Sequence, residues 1–172
     1  MNHIILGNIL ALAGASIMAG AGLLKKRRQI LLAQCLQFGL MGSANLVLGG
    51  ITGAVSAAVN IVRNLVCMKW AFTTPLKLIF IAALVLLGSA ANSAGLLGLL
   101  PIASSCLYTW FLDVKDEQTL KAVIIFTLTF WVIYDFAIMN YVSFAFDLFS
   151  IFTNVMGILS LRRQRRGGDK CR

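Results

Sequence analysis

The sequence predicts an all-α membrane protein of seven transmembrane helices, arranged 3+1+3: two parallel triple-helix bundles joined by one inverting helix. Three observations predict it. Of 172 residues, 59% are hydrophobic and 12% charged, and the mean hydropathy is +0.87, whereas a typical soluble domain is about 45–50% apolar and about 25% charged. The apolar residues fall into seven runs, most near the roughly 20 residues that cross about 30 Å of hydrocarbon. Basic residues collect at alternate junctions between these runs. The runs are continuous rather than alternating, which excludes a β-barrel. The composition excludes disorder, a disulfide scaffold and an ordinary soluble enzyme, and the crossings leave no length for a soluble domain.

The runs follow in order. Ile4–Leu24 is preceded by Met1-Asn2-His3, which lacks Lys and Arg, and it exceeds a usual signal-peptide core, so it reads as a retained helix with His3 as a solvated end residue. Lys25-Lys26-Arg27-Arg28 leads to Gln29–Leu48, and the pair Gly49-Gly50 leads to Gly50–Met68. Lys69 and Lys77 flank the junction with Leu76–Ala90, the shortest run, which opens after Pro75 and carries Lys77 where it can snorkel. The uncharged stretch Gly88–Ser93 leads to Ser93–Leu112, in which Pro101 frees a backbone carbonyl and marks a candidate hinge. Lys115 and Lys121 flank the junction with Leu120–Met139, and Met139-Asn140 leads to Tyr141–Leu161. Arg162, Arg163, Arg165, Arg166, Lys170 and Arg172 form a basic tail.

Of the 15 basic residues, 14 fall on one side of this arrangement, Arg63 being the exception. The positive-inside rule puts that side in the cytoplasm, the N-terminus outside and the C-terminus inside. The net charge of +9 is therefore topological and implies no nucleic acid; the tail should contact anionic headgroups. Cys35, Cys67 and Cys106 sit inside apolar runs, and with Cys171 they form no CxxC and have no paired His, so neither a disulfide framework nor a metal site is expected.

Domain limits follow: 1–72 for the first triple-helix bundle, 73–92 for the inverter, 93–161 for the second bundle and 162–172 for the tail. A shift of 90 residues superposes the triplets without a gap. Their identity at that shift is near background, but their polar positions coincide. Gly53, Ser56, Asn60, Asn64 and Cys67 lie on one face of the third run, and Ser143, Asp147, Ser150, Asn154 and Gly157 on one face of the seventh. Gln34, Gln37, Met41 and Asn45 stripe the second run, with Ile124, Thr127, Trp131 and Asp135 as counterparts on the sixth. Transporters built on parallel repeats bind solute at the repeat interface near mid-membrane. Stripes of small and polar residues also serve close helix packing.

Arg63, Asp135 and Asp147 are the charges inside runs, each costing about 2.5–3.5 kcal/mol on insertion scales. Such groups should face the bundle interior. An Arg63–Asp147 pair is expected, with Asp135 as second partner and hydrogen bonds from Asn60 and Asn64; this is either a functional charge or an ion pair fixing helix register. Trp131 and Tyr134, beside Asp135, offer an aromatic platform or simple packing.

Ser56-Ala57-Ala58-Val59-Asn60-Ile61-Val62-Arg63 resembles the S-A-x-x-N-x-[IV]-R segment of the YgjV family of bacterial inner-membrane proteins. Trp131-Val132-Ile133-Tyr134-Asp135-Phe136 resembles that family's W-V-I-H-N-F segment, with Tyr for His and Asp for Asn. The architecture is similar to the wider PQ-loop group, which includes the SWEET sugar facilitators. In that group paired Asn residues on the third helix of each triplet help line the sugar site, so the resemblance implies such a role for Asn64 and Asn154. The first triplet has no proline, and the chain has no PQ dipeptide, both departures from the SWEET pattern.

The expectation is thus a small-polar-solute transporter, not an enzyme, without cofactor, with Asn60, Arg63, Asn64, Trp131, Tyr134, Asp135, Asp147 and Asn154 lining the site. The alternative is a non-transporting membrane scaffold or sensor. Self-association into a homo-oligomer stays open.

Overall fold

The computed structural model describes residues 2–21, 27–70, 72–114 and 116–168. They form seven helices: α1 (Asn2–Ala21), α2 (Arg27–Val47), α3 (Ile51–Cys67), α4 (Thr74–Ala90), α5 (Leu96–Phe111), α6 (Glu117–Ala137) and α7 (Tyr141–Gly168). No strand occurs among the described residues. Lys25, Lys26, Lys115, Lys170, Cys171 and Arg172, with the side chains of Arg162, Arg163, Arg165 and Arg166, lie outside what is described.

The helix limits have local causes. Asp116 caps α6, its carboxylate accepting from the Thr119 backbone N–H at 2.8 Å and from the Thr119 hydroxyl at 2.6 Å. Pro75 stands in the first turn of α4, where a missing N–H costs nothing. Pro101 falls in the second turn of α5 rather than at mid-span, because the helix starts only at Leu96, and α5 runs on through it.

Two of the turns are copies of one another. In the α2–α3 turn the Gly50 N–H donates to Asn45 O at 2.7 Å and the Gly49 N–H to Leu46 O at 3.2 Å. In the α6–α7 turn the Asn140 N–H donates to Asp135 O at 2.8 Å and the Met139 N–H to Phe136 O at 3.2 Å. Each is a Schellman motif with its left-handed residue at the same place, Gly49 at φ 83° and Met139 at φ 61°. Every atom pair in one turn recurs in the other 90 residues later. Glycine takes this conformation without cost, whereas methionine does not.

Helix α2 packs between α1 and α3, and α6 between α5 and α7. Contacts of α3 with α5 and of α1 with α7 close these six into a ring, while α4 lies outside it against α3 and α5. There Val59, Phe80 and Leu84 form the apolar core, with Phe72, Leu76 and Cys106 packed on it.

The molecule is inverted relative to a soluble protein. Leu96 (83% exposed), Leu86 (70%), Phe149 and Phe152 face outward, while Arg63, Asn64, Thr109, Ser104 and Asp135 are buried. So large an apolar surface fits lipid rather than water. Gln118–Ala137 and Tyr141–Leu159 are long and apolar enough to cross a membrane, and five shorter apolar helices of up to 17 residues accompany them.

Candidate functional site

A cavity of about 330 Å³ lies inside the ring, walled by α2, α3, α5, α6 and α7, with Met18 of α1 at its edge. Its polar wall is built from the helical stripes. All four residues of the α2 stripe (Gln34, Gln37, Met41, Asn45) reach it, as do all four of the α6 stripe (Ile124, Thr127, Trp131, Asp135) and Ser143, Asp147, Ser150 and Asn154 of α7. Helix α3 behaves differently: of its polar face only Asn60 lines the cavity. The remaining polar wall comes from Ser104, Ser105 and Tyr108 of α5.

Of the eight sequence-selected residues, Asn60, Trp131, Asp135, Asp147 and Asn154 stand on this cavity, and Arg63, Asn64 and Tyr134 do not. The expected Arg63–Asp147 pair does not form. Arg63 is 1% exposed and points at α5, donating to Thr109 Oγ1 at 2.9 Å, while its guanidinium lies 5.4 Å from the centre of the Tyr108 ring. It also donates to Asn64 Oδ1 at 3.2 and 3.4 Å. The reason is topological: α3 packs on α2, α4 and α5, and it makes no contact with α7, which carries Asp147. Asn64 is spent in the same network, donating to Gln34 Oε1 at 3.1 Å.

Tyr134 serves as a cap instead of a platform. Its hydroxyl accepts from the Gly53 N–H at 3.1 Å, an otherwise orphaned first-turn donor of α3, and the side chain is 1% exposed. A Cβ at Gly50 would stand 2.7 Å from that hydroxyl oxygen, so the ring needs glycine there. Trp131 packs edge-on against Tyr134, with ring centres 5.9 Å apart.

Asp135 is 3% exposed and its partner is Asn140, whose amide donates to Asp135 Oδ1 at 3.4 Å and to Asn45 Oδ1 at 3.2 Å. Asn45 and Asp135 are a pair under the 90-residue shift, and Asn140 stitches them together. The sequence reading missed Asn140, Asn45 as a site residue, and the α5 hydroxyls. The short uncharged junction before α7 is the one sequence cue for Asn140, since nothing in the sequence marks Met139 as left-handed. Within the cavity wall the Asn60 amide donates to Ser105 Oγ at 3.3 Å, while Asn60 Oδ1 and Ser56 Oγ are buried without a partner among the described residues.

Lys77, expected to snorkel, is 7% exposed. It is ion-paired to Asp113, donates to Trp110 O at 3.1 Å, and sits 5.8 Å from the Trp110 ring centre. The hydrogen bond that Lys77 donates to Asp113 holds that carboxyl below its ordinary value. Among the described residues no group of three or more His, Cys, Asp and Glu could hold a metal ion.

An all-helical chain with an apolar exterior, a polar interior and a central cavity defines an α-helical membrane protein. Residues 5–165 match the family Imp-YgjV, bacterial inner membrane protein, and the chain belongs to that family. No curated protein and no solved structure matches it.

Proposed function

We propose that the protein moves a small polar solute across the bacterial inner membrane through the central cavity. The observation that carries this reading is the convergence of polar stripes from α2, α6 and α7 on one cavity of about 330 Å³ in an otherwise lipid-facing bundle. Its volume is at the lower end of small-molecule sites, and its mixture of apolar walls with a few polar groups is of the same kind. Asn60 Oδ1 is buried at the cavity wall without a protein partner among the described residues, which leaves it open to a solute donor.

The same proposal includes a duplicated 3+1+3 architecture with a SWEET-like grouping. The duplicate Schellman turns support it, as does the ring order, in which α3 meets α5 as α7 meets α1. Helix α4 is the inverter, the N-terminus is outside, the C-terminus is cytoplasmic, and Pro101 is a hinge of α5. Reporter fusions at both ends test the topology, and finding them in one compartment refutes it. Uptake into proteoliposomes against a panel of sugars, nucleosides and vitamins tests transport. Saturable uptake of at least one is expected, and folded protein that moves none would overturn the reading.

A second reading is a non-transporting scaffold or sensor bound to anionic headgroups. It is favoured by α7 remaining helical to Gly168, beyond its apolar stretch Tyr141–Leu159, through the arginines at 162–166.

A further inference from the structure

Two carboxyl groups line the cavity, and among the described residues its wall holds no cationic side chain. Asp135 on α6 and Asp147 on α7 both open onto it. Among the described residues neither carboxylate has a cation within ion-pair distance. The two buried cations nearest to hand are engaged elsewhere: Arg63 with Thr109, Asn64 and the Tyr108 ring, and Lys77 with Asp113. A second observation points the same way. Asn60 is 4% exposed, stands on the cavity from the opposite side of the ring, and has a carbonyl oxygen with no donor. The site therefore presents two carboxyl groups and one amide oxygen, and none of the three has a cationic partner among the described residues. Trp131 adds an aromatic wall next to Asp135. A carboxyl inside the membrane ionises only against a counter-charge, which an ammonium group supplies, and an aromatic face favours a cation that has shed its water.

We propose that the cavity binds a small organic cation, its ammonium group held by Asp135 and Asp147 and a further N–H or O–H donating to Asn60. This names the solute class for the transport reading, and it rests on that reading only in taking this cavity as the site. A neutral polyol can donate hydrogen bonds to all three groups but brings no counter-charge. An inorganic anion would meet repulsion from both.

The test is equilibrium binding to the full chain in lipid nanodiscs, with choline and putrescine as cationic probes and glucose, succinate and sodium as comparators. Asp147→Asn is the informative variant, since Asp147 makes no hydrogen bond that holds the fold; Asp135→Asn keeps the oxygen that Asn140 uses. Saturable binding of at least one organic cation is expected, with none of glucose or succinate. Asp147→Asn should weaken it at least tenfold without lowering the melting temperature, and Asp135→Asn should weaken it while remaining folded. Glucose binding that survives Asp147→Asn, displacement of bound probe by sodium at equal concentration, or no cation binding by folded protein overturns the proposal. Its failure is separable from that of transport. Choline that binds but is not accumulated by proteoliposomes leaves the cation site standing and removes transport. Glucose that is accumulated while neither cation binds does the reverse.

Discussion

Helices α3 and α7, which the 90-residue shift lays over each other, put the same kind of polar face to opposite uses. On α3 that face is buried almost end to end, because α2, α4 and α5 surround it. Arg63 and Asn64 are consumed there in bonds to Thr109 and Gln34. On α7 only Ser143 is fully buried among the described side chains, and Asp147, Ser150 and Asn154 open onto the cavity. The difference traces to α4, which sheathes α3 and has no counterpart beside α7. Apart from Asn60, the α3 stripe builds scaffold while the α7 stripe lines the cavity, so two similar polar faces need not share a role.

The largest test of this contrast compares Arg63→Ala with Asn154→Ala. Removing the buried guanidinium strips Thr109 and Asn64 of their donor and leaves a void, a loss of about 2–4 kcal/mol. Asn154 donates only to Ser150 O on its own helix, at 2.8 Å, and its loss should stay within about 0.5 kcal/mol. Thermal melts in detergent would check both, and equal losses would erase the distinction.

The two turns sharpen it next. Asn140 starts α7 as its own N-cap, its side chain accepting from the Ser143 N–H at 3.3 Å, and Asn8 takes the Val142 N–H at 2.9 Å. Gly50 stands in the same place before α3 and has no side chain to cap with; Tyr134 supplies the oxygen from α6. Tyr134→Phe should therefore cost about 1–2 kcal/mol by orphaning a buried N–H, seen in the same melts and in faster amide exchange at Gly53.

A smaller effect of opposite sign is expected at the left-handed positions. Met139→Gly should stabilise by about 0.5–1 kcal/mol, and Gly49→Ala should destabilise by about 1 kcal/mol. Nothing lies within 4 Å of a Cβ at Gly49, so that cost is conformational alone.

The smallest effect belongs to the Lys77–Asp113 tie. Since the Asp113 carboxyl is held below its ordinary 3.8, the tie contributes above that value and is lost as pH falls through the lowered one. The Asp113 side chain is 53% exposed, so screening keeps the contribution small. Wild type and Asp113→Asn should differ slightly at neutral pH and converge in strong acid.

Much of this was legible in the residues. Every span has its helix, because lipid forces polar groups into stripes and charges into junctions. The stripes of α2, α6 and α7 marked the cavity for the same reason. The α3 stripe misled, since a polar face says that a side chain avoids lipid and not which neighbour receives it. Asn60 and Asn64 differ by about 40° around the helix, and that separates a cavity wall from a packed contact with Gln34. The partner of Arg63 depended on α4 and α5 closing over it, a tertiary fact with no local signature. Tyr134 was read from its aromatic neighbours, whereas its role is fixed by two glycines more than 80 residues away.

The placement of α4 has one more mechanical result. Along α3 and α5 the ring carries a splint, stapled by Lys77. On the far side, where α7 meets α1, the described ties are those of Asn8 to Met139 O and to the Val142 N–H, both at one end. The ring is thus splinted along one seam and, on the other, held by described side-chain ties at one end alone.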